Sequence, residues 1–154
     1  MTLKKTDARV RRGASFTRQV QSFVKVTEER ANEVVRKTAL GILANVVTAS
    51  PVDTGHFRGN WRAGVGARPD GTLEATDKDG GATITAAKEA LDAAKLGDTV
   101  YVANNLPYAR RLEFGHSQQA PSGMVRVTLA NLPEILGEAV GEAKQEAGKG
   151  DGTL

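Results

Sequence analysis

From Phe16 to Thr48, apolar side chains return every three or four positions: Phe16, Val20, Phe23, Val24, Ala31, Val34, Val35, Thr38, Ile42 and Val46, with one gap. That is the period of an α-helix. The stretch contains no proline, its only glycine is Gly41, and Ser15 stands where a cap belongs. One helix over this range would be about 50 Å long, more than one small core can cover. Either it breaks near Thr27, where Thr27-Glu28-Glu29 has capping chemistry, or its first half packs on a neighbour.

Beyond Pro51 the period changes. Trp61, Ala63 and Val65 alternate with Arg62, Gly64 and Gly66, the pattern of a strand. Pro69-Asp70-Gly71 and Asp77-Lys78-Asp79-Gly80-Gly81 are turn signals, and between them and on to Ile84 the chain is expected to form a short hairpin. Ala86 to Ala94 reads as a helix, and Thr99 to Ala103 as the best strand, rich in β-branched and aromatic residues. A short helix is expected from Pro107 to Phe114, stopped by Gly115. A polar loop follows, and Met124 opens a last helix with Val125, Leu129, Leu132, Ile135, Leu136 and Val140 on one side and a bend at Pro133. The class is α+β: a long N-terminal helix and a C-terminal helix packed on a small, mostly antiparallel sheet, with a short helix after the last strand. Residues 1–14 are expected to be a flexible basic arm, 15–140 one domain with a variable segment at 67–98, and 141–154 a flexible tail.

Composition changes this picture little, but charge changes it more. At 154 residues, with 40% apolar and 25% charged residues, the chain has the make-up of an ordinary globular domain. It holds no cysteine, which excludes disulfides and thiolate chemistry. No apolar run is long enough to span a membrane, and no signal-type segment follows Met1, so a cytoplasmic protein is expected. Residues 1–37 carry ten basic and four acidic side chains, a balance of +6 that leaves −3 for the rest of a chain whose total is +3. A basic end and an acidic remainder suit head-to-tail contacts, or proximity to nucleic acid. One tryptophan, two tyrosines and four phenylalanines are too few for an extended base-stacking surface.

The candidate chemistry is thin. His56 and His116 lack the paired spacing of metal ligands. His56 lies near Asp53, but no nucleophile is fixed beside them, and Ser50 and Thr54 read as turn residues. The glycines of 55–66 form neither a Walker loop nor a dinucleotide fingerprint. Gly55 reads as a turn-maker and Trp61 as core, while Arg58 and Arg62 project outward or pair with an acid. On the Pro107–Phe114 helix, Arg110 and Phe114 share a face, and Arg110 or Arg111 is placed to pair with Glu113. Tyr108 is expected to turn its ring inward. No catalytic, cofactor or metal site is expected.

Three stretches are informative together: SPVDTGHFRGNW (50–61), VYVANNLPYARRLEFGHS (100–117) and APSGMVRVTLANL (120–132). In wording and order they resemble the tail-component family of long-tailed double-stranded-DNA bacteriophages, the completion or minor tail proteins of the head–tail joining region. Asp53, Thr54, Gly55 and Arg58 fall on the first motif. Asn105, Tyr108, Ala109, Glu113 and Gly115 fall on the second, and Pro121 and Arg126 on the third. The D-T-G string also occurs in aspartic proteases, but the β-rich, apolar flanks of those enzymes are missing here. The resemblance implies a virion protein of the tail or neck, assembled in the host cytoplasm. It would act as a structural ring, a hexamer matching the tail, between the tail tube and the neck or connector proteins. Terminator and head-side adaptor roles lie close to a completion role. Arg9, Arg11, Arg12 and Arg18 would face a partner or the DNA in the lumen. The rival class is a small basic nucleic-acid-binding module.

Overall fold

In the computed structural model, residues 3–150 are described, with side chains from 15 to 149. The expectations for Arg9, Arg11 and Arg12 concern side chains outside that range. The elements are α1 (Leu3–Ala49), a 3-10 turn (Arg58–Asn60), β1 (Arg62–Val65), α2 (Gly81–Leu91), β2 (Val100–Ala103), α3 (Ala109–Glu113), α4 (Val125–Ala130) and α5 (Leu132–Gly150). β1 and β2 form an antiparallel pair with Arg62 opposite Ala103 and Val65 opposite Val100. This is the α+β arrangement the pattern predicts.

The core sits where the second half of α1 meets everything else. Leu43 and Val47 of α1, Leu91 of α2 and Met124 ahead of α4 are its most deeply buried side chains. Phe57 and Trp61 meet edge to face, with ring centroids 5.9 Å apart. The Trp61 indole N–H donates to Ser50 Oγ at 2.7 Å, and the Ser50 hydroxyl donates to the Val46 carbonyl at 2.6 Å. The core's polar edge is therefore satisfied where α1 ends.

Four local expectations need correction. α1 is continuous through Thr27, and its helix takes in residues 3–14, where an arm was expected. Thr27 does not cap a new helix, because its hydroxyl donates back to the Phe23 carbonyl within α1 at 2.8 Å. No hairpin forms between 67 and 84: the chain runs irregularly and then enters α2 at Gly81, earlier than Ala86. Asp77 explains this start. Its carboxylate accepts from the Gly80 N–H (2.9 Å), the Thr83 N–H (2.8 Å) and the Thr83 hydroxyl (2.7 Å), and so satisfies one free amide of the first turn of α2, while Asp79 accepts from the Gly81 N–H.

The last helix divides at Asn131 rather than bending, and Pro133 stands in the first turn of α5, where its missing N–H costs nothing. From there α5 continues to Gly150, through most of the expected flexible tail. Tertiary contacts hold it: Ala139 and Ala143 are buried. The Lys37 ammonium reaches Glu146 at 2.9 Å and Glu142 at 3.3 Å. The bond to Glu146 is the chief cause that raises the Lys37 pKa.

Candidate functional site

The turn after α1 is built from the first motif. Gly55 has φ +86°, and a Cβ there would lie 2.7 Å from the Asp77 carbonyl carbon, so only glycine fits. Its carbonyl accepts from the N–H groups of Gly59 (2.9 Å) and Asp77 (3.0 Å). The Thr54 hydroxyl accepts from the His56 N–H at 3.2 Å. Arg58 folds back rather than projecting into solvent. It donates to the carbonyls of Lys78 (2.6 Å), Ser50 (2.9 Å) and Thr48 (3.2 Å). A guanidinium at the C-terminal end of α1 also meets the negative end of the helix dipole. Asp53 is exposed in this turn. His56 Nδ1 lies 3.1 Å from the Ala75 carbonyl, an ordinary polar contact.

Two asparagines tie the irregular 66–80 segment down. Asn60 is buried and fully used: its amide donates to His56 O (2.8 Å) and Leu73 O (3.0 Å), and its oxygen accepts from Leu73 N–H (2.8 Å). Asn105 donates to Pro69 O (2.9 Å) and Gly71 O (3.0 Å) and accepts from Arg68 at 2.8 Å. Arg62 also donates to the carbonyls of Asp70 and Gly71.

Glu113 joins the second and third motifs. Its carboxylate accepts from the N–H groups of Met124 (2.8 Å), Val125 (2.8 Å) and Arg126 (3.0 Å), the free amides at the start of α4. Arg126 completes the ring, with Nε 3.3 Å from Glu113 Oε1 and its guanidinium donating to the Glu113 carbonyl. The expected pairing of Glu113 with Arg110 or Arg111 is thus replaced by Arg126, because the carboxylate turns toward three amide donors and a helix N-terminus. Burial pushes the Glu113 pKa up, but these hydrogen bonds outweigh it and hold the carboxyl below its ordinary value. The same contest, with Thr83 and Gly80 as donors, lowers Asp77. Gly115, at φ +84°, lies against the Pro121 carbonyl, where a Cβ would approach to 2.7 Å.

The arginines of this region pack on an exposed ring: Arg126 lies 5.3 Å and Arg110 5.9 Å from the Phe114 centroid. The Tyr108 ring leans on the buried Phe57, with centroids 5.9 Å apart, and stays 40% accessible. Ala109 starts α3 against the core. The first two motifs converge on one shallow cleft of about 310 Å³ that includes Asp53, Thr54, His56, Tyr108 and Ser117. Gln119 bridges its sides by accepting from the Val52 N–H (2.9 Å) and donating to the Val52 carbonyl (3.2 Å). Trp61 and Arg126 lie outside this cleft. Arg18 is exposed on the free half of α1.

The sequence reading missed Asp77, Asn60 and Lys37. Asp77 carried a signal: an acid ahead of Gly80-Gly81 and Thr83, at capping distance from a helix. Asn60 and Lys37 each have one partner four residues away, His56 and Glu33, but the partners that tie distant segments together lie 13 and more than 100 residues away. Among the described residues no group of three or more His, Cys, Asp or Glu is placed to hold a metal ion, and none of their helices is long and apolar enough to cross a membrane.

Side chains from all three motifs are therefore spent on backbone: they close turns, cap helices and pin a long loop. That is the make-up of a structural, assembly-type domain. The chain belongs to the HK97-gp10-like family, whose model, described as "Bacteriophage HK97-gp10, putative tail-component", matches residues 14–115. The third motif lies beyond the matched range and is tied to it through Glu113. No curated protein and no solved structure matches the chain.

Proposed function

We propose that this tail-component protein completes the end of the phage tail tube and helps join it to the head connector, acting without catalysis as a closed ring. The observation that carries the reading, beside family membership, is the free half of α1. All residues from 15 to 30 are exposed, and among them Phe16 is 68% and Phe23 71% accessible. Such a surface is expected of a subunit whose partners lie outside the chain. The +6 balance of residues 1–37 supports a neighbour or a lumen of negative charge. Terminator and adaptor roles place the ring on one or the other side of the same joint.

The test is complementation of phage production in cells lacking the protein. The reading expects full heads and tails that accumulate separately and join when the purified protein is added. Joined, infectious particles formed without it would overturn the reading.

A further inference from the structure

The free half of α1 is the extension of a seam already in use. α5 runs antiparallel to α1. A Cβ on Gly41 would touch Ile135, and at the other end Ala147 and Gly148 line one groove with Arg30 and Ala31. Stepping back from Gly41 by threes and fours through Val34 and Arg30 gives Thr27, Phe23, Val20 and Phe16. The stripe thus continues the α5-covered face beyond the point where α5 stops covering it, over about 17 Å of helix from Thr27 to Phe16.

The same chain offers a receptor for it. Between α1 and α5 an open groove of about 430 Å³ is lined by Ala31, Val34, Val140, Ala143 and Ala147. These are small or β-branched side chains beside Gly148, whose missing side chain faces open space. Large exposed rings on one surface and small residues on the other are complementary in shape. The charges agree as well. Arg30 and Lys144 stand at the groove and Glu28 flanks the stripe on the docking segment, while Arg18 and Lys25 lie on the opposite face of that helix, away from the groove; among the described residues Arg30, Lys144 and Glu28 hold no ion pair.

We infer that the Phe16–Val20–Phe23 stripe of one copy docks in the α1–α5 groove of the next. The occupant is a second copy because each chain carries both halves of the contact. The halves are different surfaces, so the contact is heterologous and repeats head to tail, closing as a ring when the rotation allows. This inference rests on the ring part of the proposed function and names the surfaces that make it.

The absence of cysteine makes the test clean. One batch carries Phe23→Cys, a second Lys144→Cys, and the two are mixed, treated with a short bismaleimide and sized. Light scattering on the wild type and on Phe16→Asp/Phe23→Asp runs beside them. The expected result is a wild-type oligomer, mixed conjugates of the two batches in excess over self-conjugates, and a monomeric double variant with unchanged helix content. A wild-type oligomer with no mixed conjugates, or one that the double variant retains, overturns the docking and leaves the ring. Predominant Phe23→Cys self-conjugates replace it with a two-fold pair. A wild type that is monomeric at every concentration overturns the ring itself, and the docking with it.

Discussion

The two halves of α1 share one period but not one environment. From Ala31 to Ala49 the helix is the spine of the core, with Leu43 and Val47 fully covered. From Ser15 to Arg30 apolar residues keep the same spacing, but every residue is exposed. A helical period reports that a face is apolar, and says nothing about what covers it. The difference also separates two roles. One half has its contacts inside the molecule and is read by stability; the other is exposed and, if the proposed docking holds, is read by assembly.

Substitutions should break this comparison in order of burial. Trp61→Ala removes the largest core ring and leaves the Ser50 hydroxyl without its donor, so a loss of about 3–5 kcal/mol is expected, measured by urea unfolding. A loss below about 1 kcal/mol would mean the Phe57–Trp61 pair is not core. Next comes Glu113→Ala, which strands three amides at the start of α4; about 2–3 kcal/mol is expected. Loosening of residues 115–123 should be visible as faster hydrogen exchange there. Gly55→Ala combines a positive φ with a backbone clash and should cost about 1–3 kcal/mol. In contrast, Phe23→Ala should change monomer stability by less than about 0.5 kcal/mol, because the ring is 71% exposed.

Acid sharpens the same contrast. Asp77 and Glu113 have folded pKa values below their ordinary 3.8 and 4.5. A group lowered on folding adds stability above its unfolded pKa, and that stability is lost as pH falls through the folded value. Unfolding free energy should therefore hold steady above about pH 5 and decline below about pH 4.5. Glu113→Gln should remove part of that decline. An unchanged acid slope would mean that Glu113 is not the titrating clamp.

The sequence made the regular elements legible where periodicity and local chemistry agreed. The C-terminal end of α1, the two strands and the short α3 appear near their expected bounds, and Gly55 and Gly115 stand in turns at positive φ. What stayed hidden depends on partners distant in sequence. The 67–80 segment has turn signals at both ends of a hairpin, yet Asn60 and Asn105 hold it as an irregular strap. The last turns of α5 contain Gly141 and Gly148 and look frayed by propensity, yet Lys37 and the buried Ala143 hold them on α1. Arg58 and Glu113 were visible as motif positions, but their acceptors and donors were not. Their roles come from helix ends that the fold brings beside them.

Cover of residues 15–30 by other copies of the chain is tested by the solution mass of the full-length protein, by light scattering across a concentration series, with hydrogen exchange of residues 15–30 read on the same samples. Head-to-tail docking gives a discrete oligomer, with slowed exchange of these amides as it forms. A stable monomer, or an oligomer in which residues 15–30 exchange as fast as in the monomer, would contradict it.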